Sequence, residues 1–194
     1  MSAIHILKIK VSTLVAKKST KVLASIFLSL SLLAFLVTGP FGGAQQMLGA
    51  KSIEEAILQF EPQFSDVRNI EPAQWQRISQ DVTQGDFVLV DVRTQEERAV
   101  SVIPRSISYS EYQANRSQYK NHQVVVYCTI GYRSALVARQ LCQQGENAVN
   151  LRGGILRWIQ LGGSLKDQAG EQIKEVHTYG QAWNFVPTDY VATW

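Results

Sequence analysis

From Val22 to Ala50 the chain carries no charged side chain, and Ile26 to Val37 (IFLSLSLLAFLV) is almost wholly apolar. Beyond it the apolar residues fall into short runs. Phe87 to Asp91 (FVLVD) and Val124 to Tyr127 (VVVY) are continuous apolar stretches, the pattern of strands buried on both faces, and Ala148 to Leu151 reads as a third. Asp66 to Ile70 reads as extended, Pro72 to Gln80, Glu96 to Val100, Ser134 to Gln144 and Ile155 to Gln160 as helices, and Glu111 to Arg116 as a short helical turn. Ahead of these, Ser52-Ile53-Glu54-Glu55 fits a capping box that opens a helix, and Glu61-Pro62 ends it. This alternation predicts an α/β fold with a mainly parallel central sheet flanked by helices. Gly162-Gly163 closes the pattern, and Trp183, Phe185, Tyr190 and Trp194 of the segment that follows are expected to pack back on the domain.

Charge changes the reading of the N-terminal stretch. The net +3 of the 194 residues is uneven, because Lys8, Lys10, Lys17, Lys18 and Lys21 all precede the first acid, Glu54, and the remainder without them is slightly acidic. Nothing in that balance suggests a nucleic-acid surface. A basic start followed by an apolar stretch is the pattern of a targeting segment. Gly42-Gly43-Ala44 offers a small-residue cleavage site, while Val22 to Phe41 just supplies the roughly 20 residues of a spanning helix. A cleaved signal and a retained anchor both remain open. On either, lysines that stay in the cytoplasm place the domain on the far side of a membrane. The expected organisation is a leader over 1–50 with its apolar segment at about 22–41, a linker or docking helix over 51–66, a domain over 67–163 and an aromatic tail over 164–194.

Two cysteines, Cys128 and Cys142, are too few for a disulfide framework and lack metal-ligand spacing, so no metal site is expected. Cys142 lies mid-helix and is expected in the core. Cys128 differs, because it stands where the strand VVVY runs into a helix through Cys128-Thr129-Ile130-Gly131-Tyr132-Arg133-Ser134. Ligands of open parallel sheets bind at the carboxyl ends of the strands. The N-terminus of the following helix favours an anion such as a thiolate. Gly131 lets the backbone N–H groups converge, and Arg133 adds a planar cation. Asp91 at the end of FVLVD is expected in a structural role, either hydrogen-bonding this loop or capping the next turn, and Arg93 either to reach the pocket mouth or to pair with Glu96 or Glu97.

The loop Cys-Thr-Ile-Gly-Tyr-Arg-Ser resembles the active-site loop of single-domain rhodanese-like sulfurtransferases, Cys-x-x-Gly-x-Arg-Ser. Asp91-Val92-Arg93 with Glu97, Ile103-Pro104, and Gly153-Gly154-Ile155 followed by Trp158 resemble further elements of the family in its order, over roughly Val67 to Gly163. Ser101-Val102 replace the usual Gly-His before Ile-Pro, and Arg105 stands where glycine is common. The resemblance implies a rhodanese-like domain preceded by the hydrophobic targeting helix. It implies that Cys128 takes sulfane sulfur from a donor such as thiosulfate as a persulfide and passes it to a thiol or cyanide-like acceptor, a protein acceptor included, without a cofactor. Backbone N–H groups of Thr129, Ile130, Gly131, Tyr132, Arg133 and Ser134 would hold the terminal sulfur, and Arg133 would attract an anionic donor. Two other readings share the fold. One is a persulfide-sensing or partner-docking module at a membrane, without turnover. The other is a phosphatase or arsenate reductase, against which the loop counts, since it has six residues from Cys128 to Arg133 where phosphatases of this fold have one more.

Overall fold

The computed structural model describes residues 49–80 and 87–194. The leader, with its apolar segment at 22–41, lies outside the described residues. Among the described residues no helix is long and apolar enough to cross a membrane.

Five parallel strands form the central sheet: β1 (Asn69–Ile70), β2 (Phe87–Asp91), β3 (Ile107–Ser108), β4 (Gln123–Tyr127) and β5 (Ala148–Leu151), in the order β1-β5-β4-β2-β3. The two most apolar runs of the sequence are neighbours, paired from Phe87↔Gln123 to Asp91↔Tyr127. Val90, Val125 and Val126 are wholly buried there, as a strand covered on both faces requires. This register matters to the site, because it ends Asp91 and Tyr127 side by side, one residue before Cys128.

Helices α1 (Ile53–Phe60), α2 (Pro72–Gln80), α3 (Gln95–Val100), α4 (Tyr109–Ala114), α5 (Tyr132–Gln143) and α6 (Gly154–Gln160) flank the sheet. Helix α5 packs over β4 and β5, and α2 meets α6. Three helices begin with a Thr or Ser whose hydroxyl accepts from a backbone N–H of the first turn: Ser52 from Glu55, Thr94 from Glu97 and Ser108 from Glu111. At Thr94 the box is reciprocal, since the Glu97 carboxylate accepts the Thr94 N–H at 2.9 Å.

The segment expected as a linker helix is packed into the domain. Ile53, Ala56, Ile57 and Phe60 of α1 are buried, and Phe60 and Phe64 hold the Tyr132 ring edge-on at 5.6 and 5.4 Å. Glu54 and Glu61 both pair with Arg152, which follows β5. At the other end, the segment expected as a tail forms two small sheets, β6 (Leu165–Lys166) with β7 (Gln172–Ile173), and β8 (Glu175–His177) with β9 (Val191–Thr193). Trp183 is buried and Phe185 and Tyr190 half-buried, but Trp194 is 60% exposed and does not pack back as expected. Strand β8 lies against α3, which brings the C-terminal segment close to the loop at Cys128.

Candidate active site

The loop between β4 and α5 turns at Gly131, whose φ of 99° is left-handed. A side chain there would also press on the Gly153 backbone nitrogen, 3.1 Å from where its Cβ would stand. The turn brings the Gly131 N–H to 3.2 Å from Cys128 Sγ, a hydrogen bond that favours sulfur as the acceptor. Cys128 is 1% exposed, and Thr129, Ile130 and Gly131 are buried with it. Ser134 is wholly buried, and its hydroxyl has no partner among the described residues.

The second glycine turn braces the first. Gly153 and Gly154 both have left-handed φ, 75° and 55°, and open α6 directly beneath the loop. A Cβ on Gly154 would stand 2.2 Å from the Cys128 carbonyl oxygen, so only glycine fits. The first N–H groups of α6, lacking partners within the helix, are donated to the loop: Ile155 N to the Cys128 carbonyl at 2.9 Å and Leu156 N to that of Thr129 at 3.2 Å.

Arg133 corrects an expectation. It does not stand free to draw in an anionic donor, because its two terminal nitrogens donate to both Glu97 carboxylate oxygens at 2.8 and 2.6 Å, and one also to Thr129 Oγ1 at 3.0 Å. The Thr129 hydroxyl donates in turn to Glu97 at 3.1 Å. Burial of Glu97 works against its charge, but hydrogen bonding and attraction from Arg133, the Thr94 N–H and the field of Arg93 prevail and hold its carboxyl down at about 2. Burial likewise opposes the charge on Arg133, and Glu97 and Cys128 together raise its pKa well above the ordinary guanidinium value. The loop cation thus arrives with its counter-ion already bound. The Tyr132 ring packs on Phe60 and Phe64, and its backbone is what the loop offers.

Asp91 and Arg93 form a second ion pair, with both side chains fully buried. Asp91 accepts from the Arg93 backbone N–H at 3.0 Å, from its guanidinium at 2.7 Å and from the Tyr127 hydroxyl at 2.6 Å. Burial and the Asp91 charge push the Tyr127 phenol well above its ordinary value, so it stays a donor. Arg93 therefore reaches neither the mouth nor Glu96 nor Glu97 by hydrogen bond. Its remaining bond goes to the Ser101 carbonyl at 2.7 Å. Arg105 has a φ of 65°, left-handed, which accounts for glycine being common at that place. Cys142 is exposed rather than in the core.

Three contributors escaped the sequence reading. Glu97 as partner of Arg133 was signalled by Thr94-x-x-Glu97, a capping box, but that spacing says nothing of the far side of the carboxylate. The close approach of Gly154 to Cys128 had no local signal. Neither had Tyr179, from the C-terminal segment, whose ring lies 5.0 Å from the Arg133 guanidinium carbon.

Among the described residues no cluster of His, Cys, Asp and Glu is placed to hold a metal ion. The rhodanese-like domain model matches residues 74–161, ending at α6. The chain is 40% identical over 81 residues to a sulfurtransferase of Allochromatium vinosum, covering 40% of this chain and 76% of that protein. It is 38% identical over 78 residues to a tRNA sulfurtransferase of Desulfurococcus amylolyticus, of which it spans 16%. A tRNA uridine(34) hydroxylase of Ruegeria pomeroyi is 27% identical over 131 residues, with 42% of its length covered. The matched region holds the whole five-stranded sheet except its edge strand β1, together with both glycine turns and both ion pairs. By fold, loop and relatives alike, the chain belongs to the single-domain rhodanese-like sulfurtransferase family.

Proposed function

We propose that the protein is a sulfurtransferase that carries sulfane sulfur as a Cys128 persulfide. The observation that carries this reading is a cysteine sulfur at the head of a six-residue loop, accepting the Gly131 N–H at 3.2 Å and facing a helix N-terminus. In the first step the thiolate attacks the outer sulfur of thiosulfate. A new S–S bond forms at Cys128, the S–S bond of the donor breaks, and sulfite leaves with the electron pair. In the second step a nucleophile such as cyanide or a thiolate attacks the terminal sulfur, and the Cys128 thiolate departs with the electrons of the broken bond. The loop N–H groups hold the terminal sulfur anion between the steps. Arg133, neutralised by Glu97, acts by keeping Thr129 and the loop in place.

The test is mass spectrometry of the protein after thiosulfate treatment, followed by turnover with cyanide. Wild type is expected to gain one sulfur atom at Cys128 and to form thiocyanate, and Cys128→Ser to do neither while keeping its fold. Equal activity in the two proteins defeats the assignment. Labelling without turnover supports instead a module that holds persulfide. The basic, apolar N-terminal segment supports membrane targeting with the domain outside the cytoplasm. A reporter active only in the cytoplasm, fused after Trp194, is expected to be silent. Reporter activity with the full-length protein in the soluble fraction rejects that placement.

A further inference from the structure

The C-terminal segment lies beyond the family match, which ends at residue 161, and yet it touches the site. Its contact is Tyr179, whose ring covers the Arg133 guanidinium at 5.0 Å while Arg133 holds the Thr129 hydroxyl, next to Cys128, at 3.0 Å. The segment is built to hold that ring in place. Tyr179 has a φ of 71°, a conformation non-glycine residues rarely adopt. Its N–H is donated to His177 Nδ1 at 3.1 Å. On one side Thr178 is wholly buried, donating its N–H to the Thr193 carbonyl at 2.8 Å and its hydroxyl to the Gly180 carbonyl at 3.1 Å. Strand β8, just before it, is paired with β9 and seated on α3, the helix that supplies Glu97. Tyr179 is nevertheless 42% exposed, so packing the core does not account for its position.

We propose that Tyr179 is a specificity-determining residue, an aromatic cover laid across Arg133 that narrows the approach to the buried Cys128, admitting slender sulfur donors and acceptors and turning away bulky thiols. The inference deepens the sulfurtransferase reading and rests on Cys128 as the reacting group. Arg133 is suited to carry the cover, because a planar guanidinium fixed at its edge by Glu97 leaves its face free for an aromatic ring.

The test compares two thiol reagents on full-length protein in a Cys142→Ser background, since Cys142 is exposed and would otherwise react. Alkylation of Cys128 by iodoacetamide, which is small, and by fluorescein maleimide, which is bulky, is followed by mass spectrometry. Tyr179→Ala removes the ring, Tyr179→Gly removes it and suits the left-handed backbone, and Tyr179→Phe keeps it. The Ala and Gly variants are expected to react with the maleimide at least about fivefold faster than the parent and with iodoacetamide within about twofold, and the Phe variant to match the parent on both. The ratio of kcat/KM for glutathione to that for cyanide is expected to rise by about the same factor in Tyr179→Ala and not in Tyr179→Phe. Equal acceleration of both reagents, no acceleration of the maleimide, or a Phe variant that behaves like Ala overturns the proposal. If the reagents discriminate but thiosulfate leaves no persulfide, the cover stands and the sulfurtransferase reading falls. If persulfide forms and the reagents do not discriminate, the cover alone falls.

Discussion

Two arginine–carboxylate pairs lie close to Cys128, and they do different work. In the Asp91–Arg93 pair both side chains are fully buried, and the carboxylate is shared among the Arg93 guanidinium, one backbone N–H and the Tyr127 hydroxyl, with the Arg98 guanidinium 3.6 Å away. In the Glu97–Arg133 pair the Glu97 side chain is 2% exposed and that of Arg133 24%, with the guanidinium face under Tyr179. The first pair fastens the ends of β2 and β4, and both of its side chains are closed to solvent. The second fastens the loop and forms part of its rim. Burial and the number of fixed partners separate scaffold from site here, although the ion pairs are chemically alike.

The sharpest way to break the comparison is Asp91→Ala. It strands the buried Arg93 charge and takes the acceptor from Tyr127, so a loss of about 3 to 5 kcal/mol is expected in urea unfolding. A loss below about 1 kcal/mol would place Asp91 outside the scaffold. Glu97→Gln comes next. The Glu97 carboxyl is held at about 2 in the fold against an ordinary 4.5, so the stabilisation from its charge is present above pH 4.5 and lost as pH falls toward 2. Up to about 3 kcal/mol of the wild-type fall in stability across that window is expected to disappear in Glu97→Gln. Sulfur transfer at neutral pH is expected to drop roughly tenfold as Arg133 and Thr129 loosen. Identical pH profiles of unfolding for the two proteins would show that the Glu97 charge does not hold the fold. The smallest effect is expected from Cys142→Ser, within about 0.5 kcal/mol and with transfer almost unchanged, as suits an exposed position.

Elements were legible from the sequence where their pattern is contiguous. Pro72–Gln80, Phe87–Asp91 and Ala148–Leu151 have the bounds their pattern predicts, the first as a helical segment opened by proline and the other two as unbroken apolar runs. Strand β3, of two half-buried residues, and the strands of the C-terminal segment, of two or three, are too short to show a period. The loop from Cys128 to Arg133 was readable because it is contiguous and sits at a strand end. Its supports do not follow from spacing: Arg133 finds Glu97 36 residues away, while Arg93, read as facing the mouth or the nearby glutamates, turns back to Asp91 only two residues before it. Side-chain direction decides both, and periodicity does not report it. The exposure of Cys142 escaped for the same reason.

The seam between the two glycine turns has a consequence for the kind of atom the loop can hold. Ile155 and Leu156 grip the Cys128 and Thr129 carbonyls from below, and Gly131 rests against the Gly153 nitrogen. The turn that carries the Gly131 N–H to the Cys128 sulfur is therefore braced from outside, by the turn at Gly153 and Gly154. An extra residue in the loop is expected to disturb the bonds from Ile155 and Leu156 that hold α6 beneath it. Any selectivity of the loop for a single sulfur over a tetrahedral oxyanion is expected to depend on this downstream turn as well as on the loop itself.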